Sequence, residues 1–330
     1  MTFAAHHPRF ADGKTAMTHS VLCLGEAVID FIPVQAEGGA AYRPCLGGSS
    51  YNVARALGRL GVPTEYGCAV STDLFGDQFV AGLDESRVGR RFLQRLNAPS
   101  TLGFVSLDQA EPAYAFYDEA AADRICETMP SDAALSGVGT LHFGSIALLR
   151  EPTASAYEQL FLREAGGARL VSFDPNIRAS LVRDEGAYRG RIDRLLQAAD
   201  IIKISSADLD WLFPGLSHER AAAIWLEHRA RVVVITHGKD GVSGWSRISH
   251  AQAAAIPTEV VDTVGAGDSF MAGFLAGLYE NDLLTPESMG HPKAAALHYA
   301  LACGQKVASA TCAKRGADSP WREDVRLLAV

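Results

Sequence analysis

From about residue 139 the chain alternates short apolar runs (residues 140–143, 170–173, 201–204 and 232–236) with helix-length segments such as 153–164 and 187–199. Runs that are apolar at nearly every position, not at every second one, belong to strands covered on both faces. The strand–helix–strand order then calls for crossovers, hence a parallel sheet with helices on each side. No repeat, low-complexity tract or long linker interrupts it, so residues 20–330 read as one α/β domain and residues 1–19 as a disordered leader. Ligands on such sheets bind beyond the carboxyl ends of the strands.

Composition narrows the partners. With 30 Lys+Arg against 38 Asp+Glu the net charge is −8, which disfavours nucleic acid and anionic membranes as partners. Hydrophobic residues make up 48% and charged residues 21%, the balance of a soluble globular chain. No apolar stretch approaches the ~18 residues of a membrane span, and the first residues lack the apolar core of a secretory signal. Six cysteines without a C-x-x-C pair read as reduced thiols in the cytoplasm.

In the N-terminal half, residues 21–24 and 28–32 flank Gly25-Glu26 and read as an opening strand with a kink or bulge. A helix follows Gly47-Gly48-Ser49-Ser50, with Val53, Ala54, Leu57 and Leu60 on its apolar face and Gly61 closing it. Residues 103–107 and 114–117 read as two short strands joined across 108–112, a hairpin-like insertion.

The run Asp262-Thr263-Val264-Gly265-Ala266-Gly267-Asp268-Ser269-Phe270 carries the most chemistry. Residues 259–261 before it read as a strand, and Phe270, Phe274, Leu275 and Leu278 after it form one stripe of an amphipathic helix. Gly265-Ala266-Gly267 therefore opens a helix, where free N–H groups and the dipole favour an anion. Small side chains let the backbone approach that anion closely. Asp268 can take the proton of a hydroxyl attacking a phosphoryl group bound there; a plain helix cap is the structural alternative. The run is not a Walker A loop, because no Lys follows Gly267. Nor is it a dinucleotide fingerprint, because Phe270 stands where the third glycine belongs.

Two segments together point to a family. Gly47-Gly48-Ser49-Ser50-Tyr51-Asn52-Val53-Ala54 followed by Leu57-Gly58-Arg59-Leu60-Gly61 resembles the N-terminal signature of the ribokinase-like (PfkB) carbohydrate kinases. Residues 262–268 resemble their C-terminal D-T-x-G-A-G-D signature, and the likeness runs from about residue 21 to residue 320. Gly25-Glu26-Ala27-Val28-Ile29-Asp30-Phe31, Leu141-His142-Phe143-Gly144-Ser145-Ile146, Phe173-Asp174-Pro175-Asn176-Ile177-Arg178 and Ala199-Asp200-Ile201-Ile202-Lys203-Ile204-Ser205 are similar to fructokinase segments. The resemblance implies a three-layer α/β/α sandwich with a mainly parallel central sheet and a small β-sheet lid, its insertions near residues 31–46 and 101–118. It also implies ATP-dependent phosphorylation of a sugar hydroxyl, with Mg²⁺ and, as in several relatives, a monovalent cation such as K⁺.

Carried over residue by residue, the resemblance makes Asp268 the catalytic base, Gly265, Ala266 and Gly267 an anion hole, and Arg178 a stabiliser of phosphoryl charge. Asp30, Gly47, Gly48 and Asn52 match sugar-binding positions. Thr236, Gly238 and Gly241 match a T-x-G-x-x-G nucleotide loop, to which Lys203, Ser205 and Gly267 are added. Asp208 falls where the acid of an N-x-x-E motif orients Mg²⁺ through water, with Ser205 replacing the Asn. Asp262 and the tail around Gly316-Ala317 match a monovalent-cation site of backbone oxygens.

A second departure is Ser49-Ser50-Tyr51, where fructokinases carry a small Ala-Pro-Ala type run; Tyr51 either narrows the sugar pocket or turns into the core. The expected activity is that of a fructokinase binding a small sugar and ATP, with a homodimer through lid edges. A 2-keto-3-deoxygluconate kinase, a ribokinase or nucleoside kinase, and a non-catalytic sugar sensor are the alternatives.

Overall fold

The computed structural model describes residues 19–36, 39–106 and 113–325. The leader expected over residues 1–19 lies outside them apart from His19, as does the connection at 108–112.

Among the described residues eight strands form the central sheet. Their order is His250–Ala253, Val242–Trp245, Val232–Thr236, Ile201–Ser205, Leu170–Asp174, Val138–Gly144, Ser20–Leu24 and Thr64–Gly67. Neighbours from Val232–Thr236 to Thr64–Gly67 are parallel, and the first two strands of the order join antiparallel. Successive side chains point to opposite faces. Val21, Cys23, Val232 and Val234 therefore enter one apolar layer, and Leu22, Leu24, Val233 and Ile235 the other. Helices Ser49–Arg59, Ala266–Glu280 and Ala294–Cys312 close the first layer; Thr153–Glu164, Glu185–Ala198 and His218–Glu227 close the second. The result is the expected three-layer α/β/α sandwich.

A second sheet, in the order Gly39–Gly47, Val28–Ala36, Thr101–Ser106, Ala113–Tyr117, stands apart from the first. Asp30, Gly103 and Phe116 are in register across it, and Asp30 and Phe116 line the cleft described below. Its other face carries Phe31 stacked on Phe104 at 4.6 Å, with Tyr42 and Tyr117 set edge-on to Phe104.

Three expectations change. The opening run is not one kinked strand but two strands in different sheets, Ser20–Leu24 and Val28–Ala36. The carbonyls that would continue the first ladder are taken by side chains. Ser50 Oγ donates to Leu24 O at 2.9 Å, and Tyr66 Oη to Gly25 O at 3.1 Å and Glu26 O at 2.9 Å. Residues 259–261 form no strand; Val261 N and Asp262 N both donate to Cys312 O, at 2.9 and 3.2 Å, which ties the segment to the end of the last helix. The helix Ala266–Glu280 is buried all round from Asp268 to Leu278, not on a single stripe. Cβ atoms added at Gly273 and Gly277 would lie 2.8 Å from Cys303 O and 2.7 Å from Ala300 Cα, so the two glycines let Ala294–Cys312 pack close.

All six cysteines are free thiols, and no helix among the described residues is long and apolar enough to cross a membrane.

Candidate active site

The site lies at the carboxyl ends of the central strands, under the second sheet. Gly265 opens the helix Ala266–Glu280 with φ 74°, a left-handed conformation open to glycine at little cost. A Cβ there would approach the Ala317 Cβ to 2.6 Å. Ala266 N already donates to Thr263 O at 3.2 Å, so Gly267 and Asp268 supply the first-turn N–H groups that helix geometry leaves open. Asp262 clamps the turn from behind: Oδ1 accepts from Val264 N at 3.0 Å and Oδ2 from Gly316 N at 2.8 Å.

Asp268 is 7% exposed and bound from two sides. Its Oδ1 accepts from Ser49 Oγ at 2.7 Å and its Oδ2 from Asn52 Nδ2 at 2.9 Å. Burial pushes its pKa up, against the hydrogen bonds from Asn52 and Ser49 that favour the carboxylate. Asn52 is therefore not a mere helix cap; its Oδ1 is buried and has no hydrogen-bond partner among the described residues, which leaves an acceptor waiting for a donor.

Asp30 reaches the same cleft from the second sheet. Cβ atoms built on Gly47 and Gly103 would stand 2.1 Å from its Oδ2 and 3.2 Å from its Oδ1, so Gly47 is the position that makes room for the carboxylate. Burial raises its pKa to about 7; Arg178 opposes the rise, and Asp268 and Glu26 add to it. The cleft is also lined by Gly48, Ser145, Val264 and Gly265.

Lys203 is buried beneath the glycine turn. Its Nζ donates to Asp174 Oδ2 at 2.7 Å and lies 3.4 Å from a Cβ built on Gly267. Burial works against its charge, but Asp174, Asp208 and Asp268 outweigh it and hold the pKa above the usual lysine value. Asp174 Oδ1 is buried with no hydrogen-bond partner among the described residues. Ser205 caps the helix Ser206–Leu212, its Oγ accepting from Asp208 N at 3.0 Å. Asp208 in turn accepts from Ile177 N at 3.2 Å, and burial pushes its pKa up. Thr236 ends the neighbouring strand, and Gly238 and Gly241 shape the turn after it, with His237 N donating to Gly241 O at 2.9 Å.

The fold thus brings Asp30, Gly48, Asn52, Arg178, Gly265 and Asp268 to one cleft, with Lys203 and Gly267 directly behind it. Thr236, Gly238 and Gly241 lie along the same sheet edge. Arg178 is no surface salt bridge; its Nη1 donates to Asn176 Oδ1 at 2.6 Å. Tyr51 turns into the core, fully buried, with its hydroxyl on Phe79 O at 2.9 Å.

Two residues escaped the sequence reading. Glu26, 1% exposed, accepts from Ser49 N at 2.7 Å and Ala147 N at 3.2 Å, and burial pushes its pKa up. A carboxylate in an apolar run was its one visible signal. Ser49 looked like a departure in a glycine motif, yet it is a direct partner of Asp268.

The chain has known counterparts. It is 40% identical over 266 residues to a fructokinase of Rhizobium leguminosarum bv. trifolii, covering 80% of this chain and 81% of that one. It is 34% identical over 276 residues to the Escherichia coli fructokinase, covering 82% and 88%. The crystal structure of the Xylella fastidiosa fructokinase with bound ATP superposes with a TM-score of 0.78 at 28% identity, over 91% of this chain and 94% of that one. Residues 18–324 match the pfkB family carbohydrate kinase profile, and the chain belongs to that family.

Proposed function

We propose that the protein transfers the γ-phosphoryl group of ATP to a hydroxyl of fructose. The observation that carries this reading is Asp268, a buried carboxylate at a glycine-opened helix N-terminus, shared between the phosphate turn and the sugar cleft.

In this mechanism Asp30 accepts hydrogen bonds from sugar hydroxyls, and the orphaned Asn52 Oδ1 takes another. Asp268 removes the proton of the attacking hydroxyl. The N–H groups of Gly267 and Asp268 and the guanidinium of Arg178 face the charge that develops on the phosphoryl oxygens. The second sheet acts as a lid whose closure keeps water from the reacting phosphate.

The charges of the cleft favour a neutral sugar. Glu26, Asp30 and Asp268 line it against one guanidinium, Arg178, so the carboxylate of 2-keto-3-deoxygluconate would meet repulsion.

Mg²⁺ fits the donor set. Asp174 Oδ1 lacks a partner among the described residues and Asp208 keeps one oxygen beyond its bond to Ile177 N. One or two carboxylates with phosphates and water are the usual surroundings of this ion. When bound it supplies charge neutralisation on the phosphates. A monovalent cation such as K⁺ would rest on carbonyls of the segments that Asp262 clamps together. The free thiols suit a reducing cytoplasm, and Tyr42 and Tyr117, 50% and 66% exposed beside the Phe31–Phe104 stack, suit a homodimer through the lid.

The test is a coupled ADP-release assay with ATP and fructose, 2-keto-3-deoxygluconate, ribose or adenosine. Fructose is expected to give the highest kcat/KM. No ADP release with any of them would remove the kinase reading and leave a sugar sensor.

A further inference from the structure

We propose that Arg178, Asn176 and Ser49 form a directed hydrogen-bond relay that positions the Asp268 carboxylate and holds it ready to accept a proton. The inference rests on the kinase reading above and makes Ser49 and Asn176 positioning residues.

The direction of every bond follows from one group that can only donate. Arg178 Nη1 donates to Asn176 Oδ1 at 2.6 Å, and a guanidinium has no acceptor. That contact fixes which end of the Asn176 amide is oxygen. Its Nδ2 therefore points at Ser49 Oγ, 2.8 Å away, and at Asp268 Oδ1, 3.3 Å away. Since Nδ2 also only donates, the Ser49 oxygen must accept, and its single proton is left for Asp268 Oδ1 at 2.7 Å. With Arg178 charged, no link can be reversed, and Ser49 cannot itself receive the sugar proton.

Asn176 adopts φ 40°, a left-handed conformation that is rare outside glycine and tolerated best by Asn. Ser49 is 7% exposed, and its N–H is anchored on Glu26 Oε1 at 2.7 Å. The backbone bond to Glu26 at Ser49 and the backbone conformation at Asn176 thus fix both relay residues. A carboxylate has about four acceptor positions. Ser49, Asn176 and Asn52 occupy three, which leaves one for the sugar hydroxyl.

The charged groups around Asp268 are Asp30 from the lid, Glu26 from the crossing between the two sheets, Asp174 and Lys203 from the central strands, and Arg178 from the loop after Leu170–Asp174. The acids favour the protonated form; the donors of the relay favour the carboxylate. Losing the Ser49 donor therefore moves the acidic limb of the pH–rate profile upward.

The experiment is the pH dependence of kcat at saturating ATP and fructose. It uses the unaltered protein, Ser49→Ala, Ser49→Thr, Asn176→Asp and the double variant Ser49→Ala/Asn176→Asp. Ser49→Ala should shift the acidic limb up by about one pH unit, and Ser49→Thr should restore it. Asn176→Asp, which keeps the side-chain volume, should shift it the same way by drawing the Ser49 proton away from Asp268. The double variant should shift by less than the sum of the two single shifts, as members of one relay do. Asn176→Asp decides the matter should Ser49→Ala fail to fold. A uniform loss of kcat with the limb unmoved would overturn the relay and leave the kinase reading intact. Failure of the unaltered protein to phosphorylate any sugar would overturn the kinase reading instead.

Discussion

Asp30 shows how one side chain is shaped by groups far away in sequence. Burial raises its pKa most, Arg178 pulls it back, and Asp268 and Glu26 lift it again, to about 7. The unfolded value is near 3.9, so between about pH 4 and pH 7 the folded chain holds a proton that the unfolded chain has lost. Stability from this group therefore falls as pH rises through that window and levels off above it. Asp30→Asn should melt higher than the unaltered protein at pH 8, with the gap closing towards pH 4; a gap that ignores pH would contradict the assignment. Gly47→Ala puts a methyl group 2.1 Å from Asp30 Oδ2. Displacing a charged hydrogen-bond partner should raise the fructose KM on the order of tenfold or more, and an unchanged KM would remove Asp30 from the sugar site. Asp268 stood out in the sequence beside its glycine turn, whereas Asp30 and Asn52 were singled out by the family resemblance alone. Glu26 was not, because the N–H groups it binds belong to segments 23 and 121 residues away.

At the scale of elements, the turn before Ala266–Glu280 does two jobs through geometry: it opens N–H donors and delivers Asp268 beside them. Gly265→Ala meets both a left-handed φ of 74° and Ala317 Cβ at 2.6 Å. The backbone penalty alone is about 1 kcal/mol, so the turn should yield. The expected result is a raised ATP KM with fructose affinity unchanged, read by steady-state kinetics and calorimetry; the reverse split would place the turn on the sugar side. The parallel strands were legible because both faces are apolar. Residues 259–261 misled because Val260 and Val261 favour strands intrinsically, yet they stand 59% and 51% exposed, with Val261 N and Asp262 N bound to a helix end. The strand Val242–Trp245, one in from the sheet edge, was missed because Ser243 and Gly244 break the apolar run that marks the parallel strands.

For the whole molecule, the two sheets divide the labour: the central one fixes the glycine turn, and the smaller one carries Asp30 over it. The three-layer order was readable from strand–helix alternation, whereas the crossing from Leu24 to Val28 between sheets depended on Tyr66 and Ser50, whose roles only the tertiary structure reveals. The outer face of the small sheet leaves Tyr42 and Tyr117 half or more exposed. Sedimentation should find a dimer that the double variant Tyr42→Lys/Tyr117→Lys converts to monomer; a protein monomeric from the start would exclude a lid interface. The account turns finally on Asp268 as the proton acceptor. The direct measurement is the single-turnover rate of fructose phosphorylation by Asp268→Asn, alongside fructose binding by calorimetry. A loss on the order of 10²- to 10⁴-fold with fructose affinity nearly unchanged is predicted, and transfer at close to the unaltered rate would contradict it.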